Sequence, residues 1–164
     1  AYPQARVESL PLWAGLGHHL SVVYLGGSHD SSEVHRQVIE SGGAAREEAL
    51  AALRAAAVAA RRAVVARDLA AFGRSLVDNT EAQAALHPGL VGRDAHRVIG
   101  AASSGGALGW KVNGAGGEGG SVTILSPAPA VRASIERDVA ALDPAYRLLA
   151  VRVSAAGLRV TGSL

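Results

Sequence analysis

Residues 108–125 read Leu108-Gly109-Trp110-Lys111-Val112-Asn113-Gly114-Ala115-Gly116-Gly117-Glu118-Gly119-Gly120-Ser121-Val122-Thr123-Ile124-Leu125. Two short runs rich in β-branched and aromatic residues, 108–112 and 121–125, flank a connection built almost wholly of glycine. Branched and aromatic side chains suit a pleated, half-buried surface, so the pattern predicts two strands joined by a glycine loop. The sequence around this unit decides what it is part of.

Upstream, residues 20–25 (Leu-Ser-Val-Val-Tyr-Leu) form another buried-strand pattern, closed by Gly26-Gly27. Ser28-His29-Asp30-Ser31-Ser32 then supplies N-cap residues for a short helix over 33–40. Leu50, Leu53, Ala57, Val64, Val65, Leu69, Phe72 and Leu76 mostly follow three-and-four spacing on an alanine background. That predicts a long helix with a bend or break at Gly73, followed by a helix over 78–86 that stops at His87-Pro88-Gly89. Residues 93–102 are read as a further helix. Downstream of the hairpin, Val131, Ile135, Val139 and Leu142 share one face of a helix over 131–142, ended by Asp143-Pro144. Residues 146–153 and 158–161 are read as final strands turned at Ala156-Gly157. The order predicts an α+β fold: a ferredoxin-like split βαβ antiparallel sheet with extra helices on one face. Residues 1–19 are taken as a lead-in and 20–164 as the domain.

Length and composition narrow the function classes. The chain has 164 residues, 49% of them apolar and 18% charged, so a packed core is expected and disorder is not. It contains no cysteine, which excludes disulfides and thiolate metal sites. The formal net charge is only +2 and no basic run exceeds Arg61-Arg62, so no nucleic-acid stripe is present. The apolar tract over 49–71 is interrupted by Arg54, Arg61, Arg62, Arg67 and Asp68, and the N-terminus lacks a leader pattern. The expectation is a cytoplasmic protein with neither membrane nor nucleic-acid partners.

The chemistry concentrates in the loop. Backbone N–H groups freed of side chains can close around an anion, and glycine permits the positive φ such a cradle needs. Gly114, Gly116 and Gly119 satisfy the dinucleotide spacing, but a strand follows where that motif requires a helix. A P-loop is excluded because no Gly-Lys-Ser/Thr occurs. The chain's single lysine, Lys111, lies three residues before the loop, and Asn113 adjoins it. A hairpin turn requires neither, and both suit phosphate or hydroxyl contacts.

The segment from Lys111 to Gly120 resembles the third motif of the GHMP kinases, the superfamily of galactokinase, homoserine kinase, mevalonate kinase and phosphomevalonate kinase. Its Lys followed by Gly-Ala-Gly-Gly-x-Gly-Gly is most similar to the sugar-kinase branch, including heptose-phosphate kinases and fucokinases. Tyr24-Leu25-Gly26 with Ser31-Ser32-x-Val34-His35, and the stretch through Asn79 and Glu81 to His87, are similar to other parts of the family's C-terminal half. The family's serine-rich ATP loop is absent; Gly15-Leu16-Gly17-His18-His19 lacks the serines, and Glu118 stands where glycine is usual.

The resemblance implies the C-terminal half of an ATP-dependent kinase for a sugar or sugar phosphate, inactive alone. It implies phosphate or substrate contacts from Lys111, Asn113, Gly114, Ala115, Gly116, Gly117, Gly119 and Gly120, with further substrate contacts from His29, Ser31 and Ser32. ATP and magnesium would be held mainly by an N-terminal half, which would also carry the catalytic groups. The absence of methionine agrees with a start lying upstream. The alternative is a non-catalytic ferredoxin-like module that binds a small ligand or forms a homodimer through its sheet.

Other polar residues point less far. The six histidines show no His-x-x-x-His spacing with a nearby acid, so no metal site is expected. Ser28, His29 and Asp30 are adjacent, whereas a catalytic triad converges from separate elements. Arg61-Arg62 reads as a solvated helix face, and Trp13 and Trp110 as core packing or sugar stacking.

Overall fold

The computed structural model describes residues 8–27, 36, 43–114, 116–117 and 119–154. Apart from residue 36, the helix over 33–40 expected from the sequence lies outside the described residues, as do the strand over 158–161 and His29, Ser31, Ser32, Ala115 and Glu118.

After a 3₁₀ turn at Ala14–His18 come β1 (Leu20–Tyr24), α1 (Ala44–Ala66) and α2 (Leu69–Leu86). A second 3₁₀ turn at Pro88–Leu90 leads into α3 (Arg93–Ser104), β2 (Gly109–Asn113), β3 (Ser121–Leu125), α4 (Pro129–Leu142) and β4 (Arg147–Leu149). The four strands form one sheet in the order β2-β3-β1-β4, with every pairing antiparallel. This is the split βαβ arrangement the element order predicts. Lys111 pairs with Thr123 and Thr123 with Val22, so the glycine loop leaves the sheet beside the C-terminal end of β1.

Alternation fixes which face is buried. Val23, Val112, Val122 and Ile124 point to one side, where they meet Ala95, Val98 and Ala102 of α3 and Ile135 and Val139 of α4. These residues are at most 1% exposed and form the core. The other side carries half-buried Leu20, Val22, Tyr24, Lys111, Asn113, Ser121 and Thr123.

The long helix breaks six residues before Gly73. Arg67 adopts a left-handed backbone (φ 54°) that ends α1, and the Asp68 carboxylate accepts from the Ala71 N–H at 2.9 Å to start α2. Helices α1 and α2 pack as a hairpin through Ala49, Ala56 and Ala63, one small residue every second turn. Gly73 lies inside α2 for a different reason: a Cβ there would stand 2.4 Å from the Leu108 carbonyl oxygen. A Cβ on Gly109 would stand 2.1 Å from the Gly73 oxygen. Helix and strand backbones touch at this glycine pair, so α2 runs along the outer edge of β2 and not over a sheet face. The Thr80 hydroxyl reaches that edge, sharing its one proton between the Leu76 carbonyl of its own helix at 3.1 Å and the Trp110 carbonyl at 3.2 Å, and accepting from the Val112 N–H at 3.4 Å.

The strand expected over 146–153 pairs only at Arg147–Leu149. Just before it, Tyr146 ties α3 to the end of α4. Its hydroxyl donates to Asp94 at 2.9 Å, while Arg97 donates to that hydroxyl at 3.1 Å and to the Leu142 carbonyl at 2.8 Å. Burial first, and the Asp94 carboxylate second, push the phenol up to about 12. The folded state therefore holds the proton more tightly than the unfolded chain. The stability this contributes is complete below pH 10 and is lost as pH rises from 10 towards 12. Chemical denaturation at stepped pH should show that decline in the wild type and a flatter one in Tyr146→Phe; equal slopes would remove Tyr146 as the cause.

Candidate functional site

The glycine loop folds back onto the domain. Gly114, Gly116, Gly117, Gly119 and Gly120 all have positive φ, between 61° and 121°. Gly116 and Gly119 are also buried against backbone: a Cβ on Gly116 would lie 1.8 Å from the Leu90 oxygen, and one on Gly119 2.6 Å from the Gly27 oxygen. The loop is thus seated between the end of β1 and the 3₁₀ turn before α3. Gly114 differs, being exposed with open space around its Cα, so its glycine serves the positive φ alone.

Lys111 is half-buried on β2. Its ammonium donates to Gln83 Oε1 at 2.7 Å and to the Val112 carbonyl. Burial lowers its pKa below the ordinary lysine value. Gln83, on α2 and 6% exposed, donates through Nε2 to the Gly114 carbonyl at 2.7 Å. One amide therefore joins the lysine to the first residue of the loop. No sequence motif singles out Gln83; its one signal is the pairing with Thr80 three residues earlier, which puts two polar groups on a single helix face.

Asn113 has a hairpin role after all. Its Nδ2 donates to Ser121 Oγ and Thr123 Oγ1, both at 3.0 Å, and its Oδ1 accepts from the Thr123 hydroxyl at 3.1 Å. The side chain bridges β2 to β3 at the mouth of the loop. Lys111, Asn113, Gly114, Gly116, Gly117, Gly119 and Gly120 are thus gathered at one corner of the sheet.

Other sequence candidates fall into structural places. Trp13 meets Phe72 with ring centroids 6.4 Å apart, and Trp110 packs against the core. His19 Nδ1 bonds the Ser126 carbonyl at 2.9 Å, and His87 Nδ1 accepts from the Gly89 N–H at 3.1 Å. Arg61 pairs with Glu8. Among the described residues no three metal-ligating side chains converge, and no helix is long and apolar enough to cross a membrane.

No family model matches the sequence, and neither does any curated protein. Solved structures do. The mevalonate kinase of L. major, in complex with R-mevalonate, matches with a TM-score of 0.73 at 22% identity, over 84% of this chain and 43% of that one. The phosphomevalonate kinase of Streptococcus pneumoniae, in complex with phosphomevalonate and AMPPNP, matches at 0.71 and 15% identity, over 82% and 39%. The homoserine kinase of Cytophaga hutchinsonii matches at 0.62 and 18% identity, over 90% and 45%. The chain shares the fold of GHMP kinases and spans less than half the length of these three. They are named for mevalonate, phosphomevalonate and homoserine, and none for a sugar.

Proposed function

We propose that this chain is the C-terminal half of an ATP-dependent small-molecule kinase, with the glycine loop lining the path between the transferred phosphoryl group and the acceptor hydroxyl. One observation carries the reading. A seated loop with five positive-φ glycines stands beside the only lysine, inside a fold shared with three kinases of small alcohols. Catalysis of phosphoryl transfer is chiefly positioning and charge stabilisation, and backbone N–H groups with an ammonium supply both.

Loop N–H groups and the Lys111 ammonium are the donors this chain would offer the oxygens of a phosphate. ATP would bring the phosphoryl group itself. Magnesium would arrive with the nucleotide and be held mainly by an N-terminal half; among the described residues no three ligating side chains converge. The catalytic groups and the main ATP loop would come from an N-terminal half. A sugar or sugar phosphate is the proposed acceptor, on the motif's likeness to the sugar-kinase branch, and the cytoplasm is the proposed compartment. His29, Ser31 and Ser32 are proposed as acceptor contacts; they lie outside the described residues.

A second reading has one observation in its favour. Edge strand β4 exposes Leu148 and Leu149 at 42% and 44%, and such an edge suits a module that pairs with a copy of itself. ADP release with MgATP and a panel of hexoses, heptose phosphates, mevalonate and homoserine separates the two. The half-kinase predicts weak calorimetric MgATP binding through the glycine loop alone, and no turnover, by residues 1–164. Turnover by this chain alone would contradict the need for another half. A stable dimer without nucleotide binding would favour the second reading.

A further inference from the structure

The contacts of Gln83 exceed what an edge-covering helix requires. Thr80 already reaches the Trp110 and Val112 groups on the β2 edge. One turn on, Gln83 places its amide between a carbonyl, that of Gly114, and an ammonium, that of Lys111. These partners fix the amide's orientation. The reverse would set NH₂ against NH₃⁺ and oxygen against oxygen. With Gln83 Oε1 and the Val112 carbonyl occupied, two of the ammonium's three donors are engaged. Among the described residues the third has no acceptor, and it remains for an incoming oxyanion.

We infer that Gln83 is a positioning residue that locks Lys111 and Gly114 into one unit, so that the ammonium and the first turn of the loop meet a phosphate together. The inference rests on the loop's being a phosphate site. A leucine or methionine at this buried helix position would fill the space as well, and hydrophobic burial would favour it. The amide instead fixes the one mobile cation of the region without neutralising it. A carboxylate would hold Lys111 more strongly, but it would cancel the charge that the phosphate needs and repel the Gly114 carbonyl.

The single lysine makes the test direct, because a chain labelled with [15Nζ]lysine gives one side-chain ammonium signal. Its titration is followed in wild type, Gln83→Met and Gln83→Glu, alongside calorimetric affinity for MgATP. Lys111 should titrate lower in Gln83→Met, which loses an acceptor for the charged form, and higher in Gln83→Glu, which gains a carboxylate partner. Both variants should bind MgATP about tenfold more weakly, the effect of one charge-assisted hydrogen bond misplaced. A merely structural role would shift the melting temperature and leave MgATP affinity within twofold of wild type. If Lys111 titrates alike in all three, the positioning role is overturned. If it moves but MgATP affinity stays within twofold, the link to phosphate is overturned. A wild-type chain that ignores MgATP would instead sink the reading of the loop, while the titration still decides what holds Lys111. Should the methionine variant not fold, the glutamate variant decides both points.

Discussion

Gly109→Ala should lower stability by about 3 kcal/mol, the upper end of the ordinary cost of overpacking. The three atoms nearest the new methyl are all backbone: the oxygen, carbonyl carbon and Cα of Gly73, at 2.1, 2.6 and 2.7 Å. No side chain can rotate away, so α2 must lift from β2. That movement pulls Thr80 from Trp110 and Val112, and Gln83 from Gly114. A melting temperature lower by roughly 10 °C is expected for a domain of this size. Gly100→Ala is the control, since nothing lies within 4 Å of its added Cβ inside α3. It should stabilise by roughly 0.5–1 kcal/mol through helix propensity. A Gly109→Ala protein within 1 kcal/mol of wild type would show that helix and strand do not meet as described.

Ile135→Ala should cost about 2–5 kcal/mol, because the side chain is fully buried between α3, α4 and the sheet and leaves a cavity. The structure adds a sharper expectation. A Cβ on Gly105 would stand 2.6 Å from Ile135 Cγ1, and Gly105 has an ordinary right-handed backbone, φ −78°. Gly105→Ala is therefore obstructed in the wild type, and once Ile135 is alanine only the 3.2 Å approach to the Ala101 oxygen remains. The double variant should be more stable than the sum of the single costs allows. Additive costs in denaturant titrations would mean that the two residues do not share that space.

The sheet was legible because its signal is local. Ser121–Leu125 alternates branched and polar side chains between a glycine loop and Ser126-Pro127, and β1 is closed by Gly26-Gly27, so both strands sit where the pattern puts them. The helix break was misplaced because glycine and alanine carry different information in context. Arg67, which adopts the left-handed backbone, has no sequence mark of doing so, and alanine continues on both sides of it. Gly73 looks like a breaker but is a close approach to residues 108 and 109, a partnership no local window contains. Residues 146–153 have strand composition throughout, yet only three residues find a partner.

The loop was legible as a candidate for the opposite reason, since few structural demands produce so much glycine beside a lone lysine. Its seating was not legible. Gly116 and Gly119 are glycine partly because Leu90 and Gly27 lie against them, and Asn113 is held by Ser121 and Thr123 across the hairpin. Gln83 is 28 and 31 residues from its two partners, and a glutamine within a helix is unremarkable until the fold brings β2 beside it.

The central claim is that the corner formed by Lys111 and the glycine loop receives phosphate. Backbone amide signals of the 15N-labelled chain, followed during titration with MgATP, test it most directly. The account predicts saturable shifts confined to residues 111–120 and their seats at Gly27 and Leu90. Saturable shifts elsewhere, or none at millimolar MgATP, would contradict it.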